Sequence, residues 1–81
     1  MRIVWDEPKR QANLAKHGMD FADLTIEFFL SAKVVEAKNR RFKAMGRFAD
    51  GTIAVIFAAV GTEGVSVISM RPASLKERGL L

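Results

Sequence analysis

From residue 33 to residue 71 the sequence reads as four β-strands in succession, joined by connections too short to contain a helix. The predicted strands are Lys33–Ala37, Arg41–Phe48, Thr52–Val60 and Val65–Arg71, and most of their residues are apolar, β-branched or aromatic. Because such short connections join antiparallel neighbours, they predict an antiparallel four-stranded sheet. The rest of the chain then has to bury one face of that sheet.

The segment before the sheet predicts a short strand and two helices. Arg2–Trp5 reads as the strand. A first helix follows Asp6, a residue suited to an N-cap, and ends at His17, because Gly18 readily takes the left-handed conformation that closes a helix. Asp20 is placed to cap a second helix, whose apolar residues cover most of its circumference.

After the sheet, Ser74 and Glu77 have the spacing of a capping box, which predicts one helical turn that ends at Gly79. The predicted fold class is α+β: a short N-terminal strand and two helices, then an antiparallel four-stranded sheet with helices packed on one face. With 81 residues, the chain is expected to form a single domain over residues 1–81.

The composition limits the chemistry open to this chain. Its 13 Lys and Arg residues outnumber its 9 Asp and Glu residues, and the net charge of +4 favours a polyanionic partner. With no Cys and one His, a zinc site and thiolate chemistry are not expected, and we predict neither a metal nor a cofactor. No apolar run is long enough to span a bilayer and no signal-peptide pattern is present, which predicts a cytoplasmic protein without a membrane partner.

Arginine side chains are predicted to gather on the face of the sheet that points away from the helices. A two-residue turn at Asp50-Gly51 pairs Phe48 with Ile53 and places Arg47 beside Ala54. Phe48 then faces the core, and Arg47 faces solvent.

The next hairpin brings a second arginine to the same alanine. If it closes over Gly61–Gly64, it places Val67 beside Ala58 and Arg71 beside Ala54. Adjacent strands lie about 4.8 Å apart, so the Cα atoms of the arginines flanking that alanine are about 10 Å apart. Two guanidinium groups at this separation can bind one phosphate, although exposed arginines are also common on any open sheet face.

Three further charged residues belong to the same predicted region. Lys43 and Arg41 share the face of Arg47. A turn at Asn39-Arg40 places Glu36 beside Lys43, either as part of a reactive site or in a surface salt bridge.

The single histidine, His17, follows Lys16 at the predicted end of the first helix. A cation in the last turn complements the helix dipole, which explains a histidine here without any catalytic role. Imidazole also accepts and donates protons near neutral pH, so His17 is also a candidate general acid or base, although the sequence alone favours the helix-end cation. Both explanations stay open, because the sequence does not show whether the helix end reaches the arginines of the sheet.

Several segments resemble the BrnT family of type II toxins. They are VWDEPK, NLAKHGMDF, the RF…GR…DG pattern and VISMRPAS, which together extend over nearly the whole chain. The resemblance implies a RelE-like fold, a small metal-independent ribonuclease, and an adjacent antitoxin of the BrnA type. Such an antitoxin blocks the toxin, and the complex of the two binds operator DNA.

In this chain the Lys-His pair of the family corresponds to Lys16 and His17, and its arginines correspond to Arg41 and Arg71. Cleavage of RNA through the 2′-hydroxyl needs a base, an acid and cations for the charge on phosphorus. We therefore expect the catalytic residues Arg71, Arg47, His17 and Glu36, and the RNA-binding residues Arg41, Lys43 and Lys16.

Departures from the family pattern leave other functions open. The chain has no tyrosine, and it carries Asn39-Arg40 where members usually have acidic residues. Near Ala58, Ala59 and Gly61 many members have a Tyr-Thr pair and an arginine, which this chain lacks. One alternative is a catalytically weakened or inactive homologue that serves as the antitoxin-binding half of an autoregulatory DNA-binding complex. A basic RNA-binding module without toxin ancestry is a third, disfavoured because the predicted open face has no Phe or Trp.

Overall fold

The computed structural model of the protein describes residues 1–81, and its centre is one five-stranded mixed sheet. The strands are β1 (Arg2–Trp5), β2 (Lys33–Glu36), β3 (Phe42–Phe48), β4 (Gly51–Val60) and β5 (Gly64–Pro72). Their order across the sheet is β1-β5-β4-β3-β2. β1 runs parallel to β5, and all other neighbours are antiparallel.

The predicted fold class is therefore confirmed only in part. The fold is α+β and the four antiparallel strands are present, but the N-terminal strand does not stand apart from them. It pairs with the outer edge of β5, which places Ile3 and Trp5 against the hydrophobic core. The sheet is thus five-stranded and mixed, not the four-stranded antiparallel sheet of the RelE-like expectation.

Three helices complete the fold: α1 (Glu7–His17), α2 (Ile26–Ser31) and α3 (Leu75–Arg78). The limits of α1 are as predicted, since it follows Asp6 and ends at Gly18, whose φ of 67° is left-handed. The capping box of Ser74 and Glu77 at the start of α3 is also confirmed.

The predicted second helix is divided in two. Asp20 caps a short 3-10 turn, Phe21–Asp23, by accepting a hydrogen bond from the N–H of Ala22. Thr25 then caps α2 by accepting a hydrogen bond from the N–H of Phe28. Each polar side chain binds a nearby backbone N–H, so the chain starts a helix twice rather than once.

The hydrophobic core lies between the sheet and the segment formed by the 3-10 turn and α2. Its buried residues are Phe21, Leu24, Phe28, Phe29, Ala44, Ile53, Val55, Phe57, Val65, Val67 and Met70. Aromatic rings meet edge to face, as do Phe29 and Phe57 with ring centroids 5.4 Å apart. Gly46 lies under this layer, where a Cβ would come within 3.2 Å of the Phe28 ring.

The hairpin between β3 and β4 turns one residue earlier than predicted. Its two-residue turn is Ala49-Asp50 rather than Asp50-Gly51, and its first residue, Ala49, has a left-handed φ of 54°. The register differs by two residues, which keeps every side chain on its predicted face. Arg47 consequently lies beside Thr52 and not beside Ala54.

β5 contains a β-bulge that decides which way Arg71 points. Val67 pairs with Phe57, while Ser69 pairs with the preceding residue of β4, so Ile68 is an extra residue on β5. Side chains alternate between the two faces along a strand, and the extra residue reverses that alternation. Val67 therefore points into the core, whereas Arg71 points away from it.

The same bulge makes one predicted pair wrong and one right. Val67 does not lie beside Ala58, because the hairpin closes one residue earlier and pairs Val60 with Gly64. The extra residue then compensates for that difference, and Arg71 lies beside Ala54 as predicted.

The connection between β2 and β3 places Glu36 on the opposite face from the one predicted. Glu36 pairs with Phe42, and Val35 lies beside Lys43 in its place. The pairing of Glu36 with Phe42 leaves a loop of five residues, 37–41, rather than one with an even number, and a 2.8 Å N–H···O bond between its first and last residues closes it. Because a one-residue change of register reverses all side chains, Glu36 is on the helix side of the sheet.

Asn13 joins α1 to β5 beyond the end of β1. Its Nδ2 donates to the carbonyl oxygens of Met70 at 2.9 Å and of Met19 at 3.0 Å, and its Oδ1 accepts from the N–H of Met70 at 3.0 Å. The side-chain amide thus takes the hydrogen-bonding position of a further residue of β1. Asn13 is 6% exposed, so water does not replace these bonds.

We expect Asn13→Ala to lower the free energy of unfolding by about 2–4 kcal/mol, because buried backbone groups of Met70 and Met19 lose their partner. Urea unfolding followed by the fluorescence of Trp5 measures the change. The matched control is Gln11→Ala, an exposed amide on the same helix, with an expected cost below about 0.5 kcal/mol. Equal losses in the two variants would contradict the role given to Asn13.

Candidate functional site

Three charged side chains meet on the face of the sheet opposite the core. The Glu77 carboxylate accepts hydrogen bonds from both terminal nitrogens of Arg71, with Oε1–Nη1 at 2.7 Å and Oε2–Nη2 at 2.8 Å. Lys43 Nζ donates to the same Oε2 at 2.8 Å. These three residues, the Arg71 cluster, bring two cations to a single oxygen atom.

The cluster draws one residue from each of β3, β5 and α3. The capping box turns the chain back over the sheet: the N–H of Ser74 donates to Glu77 Oε1 at 2.9 Å, and the N–H of Glu77 donates to Ser74 Oγ at 3.1 Å. Met45 and Ala54 form the floor below, and both are fully buried. A rigid sheet and a capped helical turn therefore fix all three side chains.

The electrostatics of the cluster are dominated by the carboxylate. Its hydrogen bonds with Arg71 hold the pKa of Glu77 well below its ordinary value, and those with Lys43 and the N–H of Ser74 act in the same direction, against the effect of burial. The same ion pair raises the pKa of Arg71. Only 7% of the Glu77 side chain is exposed, against 34% for Arg71 and 26% for Lys43, so the two cations are more accessible to solvent than the carboxylate.

Arg47 shares the face of the cluster but not its contacts. It is exposed, and it makes neither an ion pair nor a side-chain hydrogen bond. Because it lies beside Thr52, it does not flank the same alanine as Arg71, and the predicted pair of arginines around Ala54 is wrong.

Two other predicted site residues, Glu36 and Arg41, line a separate open cleft at the loop between β2 and β3. Its volume is about 580 Å³, and the lining also includes Arg40 and Phe42. Neither Glu36 nor Arg41 forms an ion pair. The structure thus brings these two residues together, but not with Arg71.

His17 and Lys16 lie in a shallow depression between the end of α1 and β5. Lys9, Ile68 and Ser69 complete much of its lining, and its volume is about 220 Å³. Ser69 is two residues before Arg71 on the same strand and the same face. The end of α1 therefore does reach the strand that carries Arg71, as the proton-transfer hypothesis for His17 requires.

Two residues that support the site were not predicted to do so. Glu77 was assigned only to a capping box, and Asn13 was given no role. The capping-box spacing gave the local signal for Glu77, but its contacts with Lys43 and Arg71 are between elements, and no sequence spacing encodes them. The available signal for Asn13 was its position inside a helix, where asparagine is an unfavourable residue.

No group of three or more His, Cys, Asp or Glu side chains is arranged to hold a metal ion. No helix of the protein is both long enough and apolar enough to cross a bilayer.

The lowered pKa of Glu77 predicts how stability depends on pH. Its folded-state pKa lies below the ordinary value of 4.5, so the stabilisation is complete above that pH and declines as the pH falls below it. The difference in unfolding free energy between the wild type and Glu77→Gln should narrow from pH 7 to pH 3 in urea titrations. Glu63→Gln, which removes an exposed carboxylate, is the control. A difference that is constant over this range would contradict the assignment.

The comparisons with known proteins agree on one family. The model of the family described as "Ribonuclease toxin, BrnT, of type II toxin-antitoxin system" matches residues 5–77. The chain is also similar to the 1.1 Å crystal structure of the Brucella abortus ribonuclease toxin BrnT, with 64% sequence identity over 91% of this chain and 97% of that chain and a TM-score of 0.86. No curated protein sequence gives a significant match. The chain therefore belongs to the BrnT family of ribonuclease toxins of type II toxin-antitoxin systems.

Proposed function

We propose that this protein is an endoribonuclease toxin, over residues 1–81, that cleaves RNA without a metal ion. The RNA 2′-hydroxyl gives its proton to a base and attacks the adjacent phosphorus, the bond from phosphorus to the 5′-oxygen breaks, and that oxygen takes a proton from an acid, which leaves a 2′,3′-cyclic phosphate and a 5′-hydroxyl. A cognate antitoxin neutralises the enzyme. The Arg71 cluster carries the proposal, because it gathers two solvent-accessible cations at one point of the sheet. Cations so placed stabilise the extra negative charge that develops on the phosphate oxygens.

In this proposal Arg71 binds the phosphate that is cleaved, and Lys43 stabilises the same charge. A guanidinium group presents paired N–H donors to two phosphate oxygens, whereas an ammonium group acts as a point charge. Loss of one such donor in other enzymes reduces kcat by about 10²–10³-fold. We expect a loss of at least that size for Arg71, since its charge is lost together with its donors.

His17 is the side chain we propose for proton transfer. The depression that it shares with Ser69 adjoins the strand of Arg71, and imidazole can both accept and donate a proton near neutral pH. Lys16, in the same depression, binds a neighbouring phosphate. Support for these roles comes from this position and from the Lys-His pair of the family pattern.

The remaining predicted cations bind RNA beside the cleaved bond. Arg41 in its cleft and the exposed Arg47 are free of ion pairs and can each hold a phosphate. Glu36 lies in the cleft of Arg41 on the helix side of the sheet, so its position does not support the predicted role in proton transfer at Arg71.

The partners follow from the family. We infer that an antitoxin of the BrnA type binds the protein, that operator DNA is bound only through the complex, and that the toxin acts on RNA in the cytoplasm. One observation favours a second candidate, a catalytically weakened homologue that mainly binds the antitoxin: Glu77 neutralises one charge of the Arg71 cluster.

The first test is cleavage of a fluorescent RNA by the purified protein in EDTA. The wild type should cleave, and Arg71→Ala should lose at least about 100-fold in kcat/KM, because the phosphate loses its principal cation. Arg2→Ala is the control, since Arg2 is an exposed arginine that makes no ion pair.

Equal cleavage by the wild type and Arg71→Ala would place the active site elsewhere. A folded wild type without cleavage would leave the antitoxin-binding homologue as the better account.

A second test separates the roles of His17 and Lys16. His17→Gln should reduce kcat by about 10²-fold or more and flatten the dependence of kcat on pH, as expected for loss of a proton-transfer group. Lys16→Gln should raise KM and reduce the steepness of its salt dependence, because one phosphate contact is lost. An unchanged pH profile for His17→Gln would reduce His17 to a cation at a helix end.

A further inference from the structure

We propose that Glu77 is a positioning residue, which holds the Arg71 guanidinium so that one of its edges faces the phosphate of the bound RNA. The proposal rests on the proposed function of the Arg71 cluster. It assigns to the carboxylate a role in catalysis that its capping box alone does not imply.

The hydrogen bonds of Arg71 leave a defined part of the guanidinium unused. Nη1 donates to Glu77 at 2.7 Å and more weakly to the Pro72 carbonyl at 3.3 Å, and Nη2 donates once to Glu77 at 2.8 Å. Nε–H and the second N–H of Nη2 make no hydrogen bond within the protein. In a planar guanidinium these two N–H groups lie parallel on one edge, the arrangement that binds two phosphate oxygens.

Glu77 is built to stay in place rather than to be displaced by RNA. A phosphodiester carries one negative charge, as the carboxylate does, so exchanging them gains little attraction for Arg71. The exchange would also break the hydrogen bonds from Lys43 and from the N–H of Ser74. Binding at the free edge of Arg71 breaks none of these bonds.

The cluster also holds α3 on the sheet. α3 has only four residues, Leu75–Arg78, and its Leu75 is 79% exposed, so apolar packing contributes little to its position. Outside the cluster, the side chain of Lys33 donates to the carbonyl of Leu80 at 3.0 Å. The position of α3 and the orientation of Arg71 are therefore coupled through Glu77.

The same geometry also fits the opposite role, in which Glu77 occupies the position of the phosphate and blocks the site. The two roles predict opposite signs for Glu77→Gln. If Glu77 positions Arg71, the variant cleaves more slowly, because the amide presents an NH₂ group to a cation and the guanidinium turns away. If Glu77 blocks the site, the variant cleaves faster.

The kinetic test compares Glu77→Gln with the wild type on the same fluorescent RNA. We expect kcat to fall by about 10–100-fold while KM changes by less than about threefold, since orientation matters most in the transition state. Glu63→Gln makes the same change of net charge at an exposed site and should cleave like the wild type. Ser74→Ala, which weakens the cap but keeps the carboxylate, should lose less activity than Glu77→Gln.

A background variant tests whether the effect acts through the guanidinium. In Arg71→Lys, which cannot form a bidentate pair, the further change Glu77→Gln should cost less than it costs in the wild type. Equal costs in the two backgrounds would overturn the proposal, as would equal or faster cleavage by Glu77→Gln. A wild type that does not cleave at all would instead count against the proposed function.

NMR gives a readout that does not depend on cleavage and still applies if Glu77→Gln unfolds. The Nε–H signal of Arg71 in the wild type should move when a 2′-O-methyl RNA oligonucleotide, which lacks the reactive hydroxyl, is added. Folded Glu77→Gln should show a smaller change or none. If the oligonucleotide shifts the signals of other residues in the wild type but leaves the Nε–H signal of Arg71 unchanged, the proposal is overturned.

Discussion

The hydrogen bonds between the Asn13 amide and the backbone of Met70 are the interaction on which the rest of the structure depends. They continue the edge of β5 where β1 has ended, and they tie α1 to the strand within two residues of the bulge at Ile68. Because β1 ends at Trp5, opposite Val67, the backbone groups of Met70 have no strand partner on this edge, and an amide that both donates and accepts satisfies them. One buried side chain thus fixes both the helix and the strand.

The bulge in turn determines what chemistry the sheet can present. Without the extra residue, the alternation that buries Val67 would also turn Arg71 into the core. With it, the same strand contributes apolar residues to the core at one end and a guanidinium to the opposite face at the other. Glu77 then returns on α3 to pair with that guanidinium. The candidate site is therefore a consequence of one inserted residue and of the capping box that follows it.

Local signals predicted the elements of this fold well. Gly18 ended α1 at the expected residue, and Ser74 with Glu77 started α3. The position of Arg71 beside Ala54 was also right, but through two departures that cancel: an earlier turn and a bulge.

The errors lie where the register depends on contacts that are distant in sequence. Glu36 was assigned to the wrong face because the loop at 37–41 has an odd number of residues, and Arg47 was paired with the wrong neighbour because Ala49 accepts a left-handed φ. The contact of Glu77 with Lys43 joins two elements 34 residues apart, and only the folded sheet brings them together.

A crystal structure of the wild type with a 2′-O-methyl RNA that it cannot cleave tests most directly whether Arg71 binds the phosphate. We expect a phosphate within hydrogen-bond distance of Nε and Nη2 of Arg71, with Glu77 still paired to the same side chain. An RNA whose phosphates follow the cleft of Arg41 and leave Arg71 without a contact would contradict it.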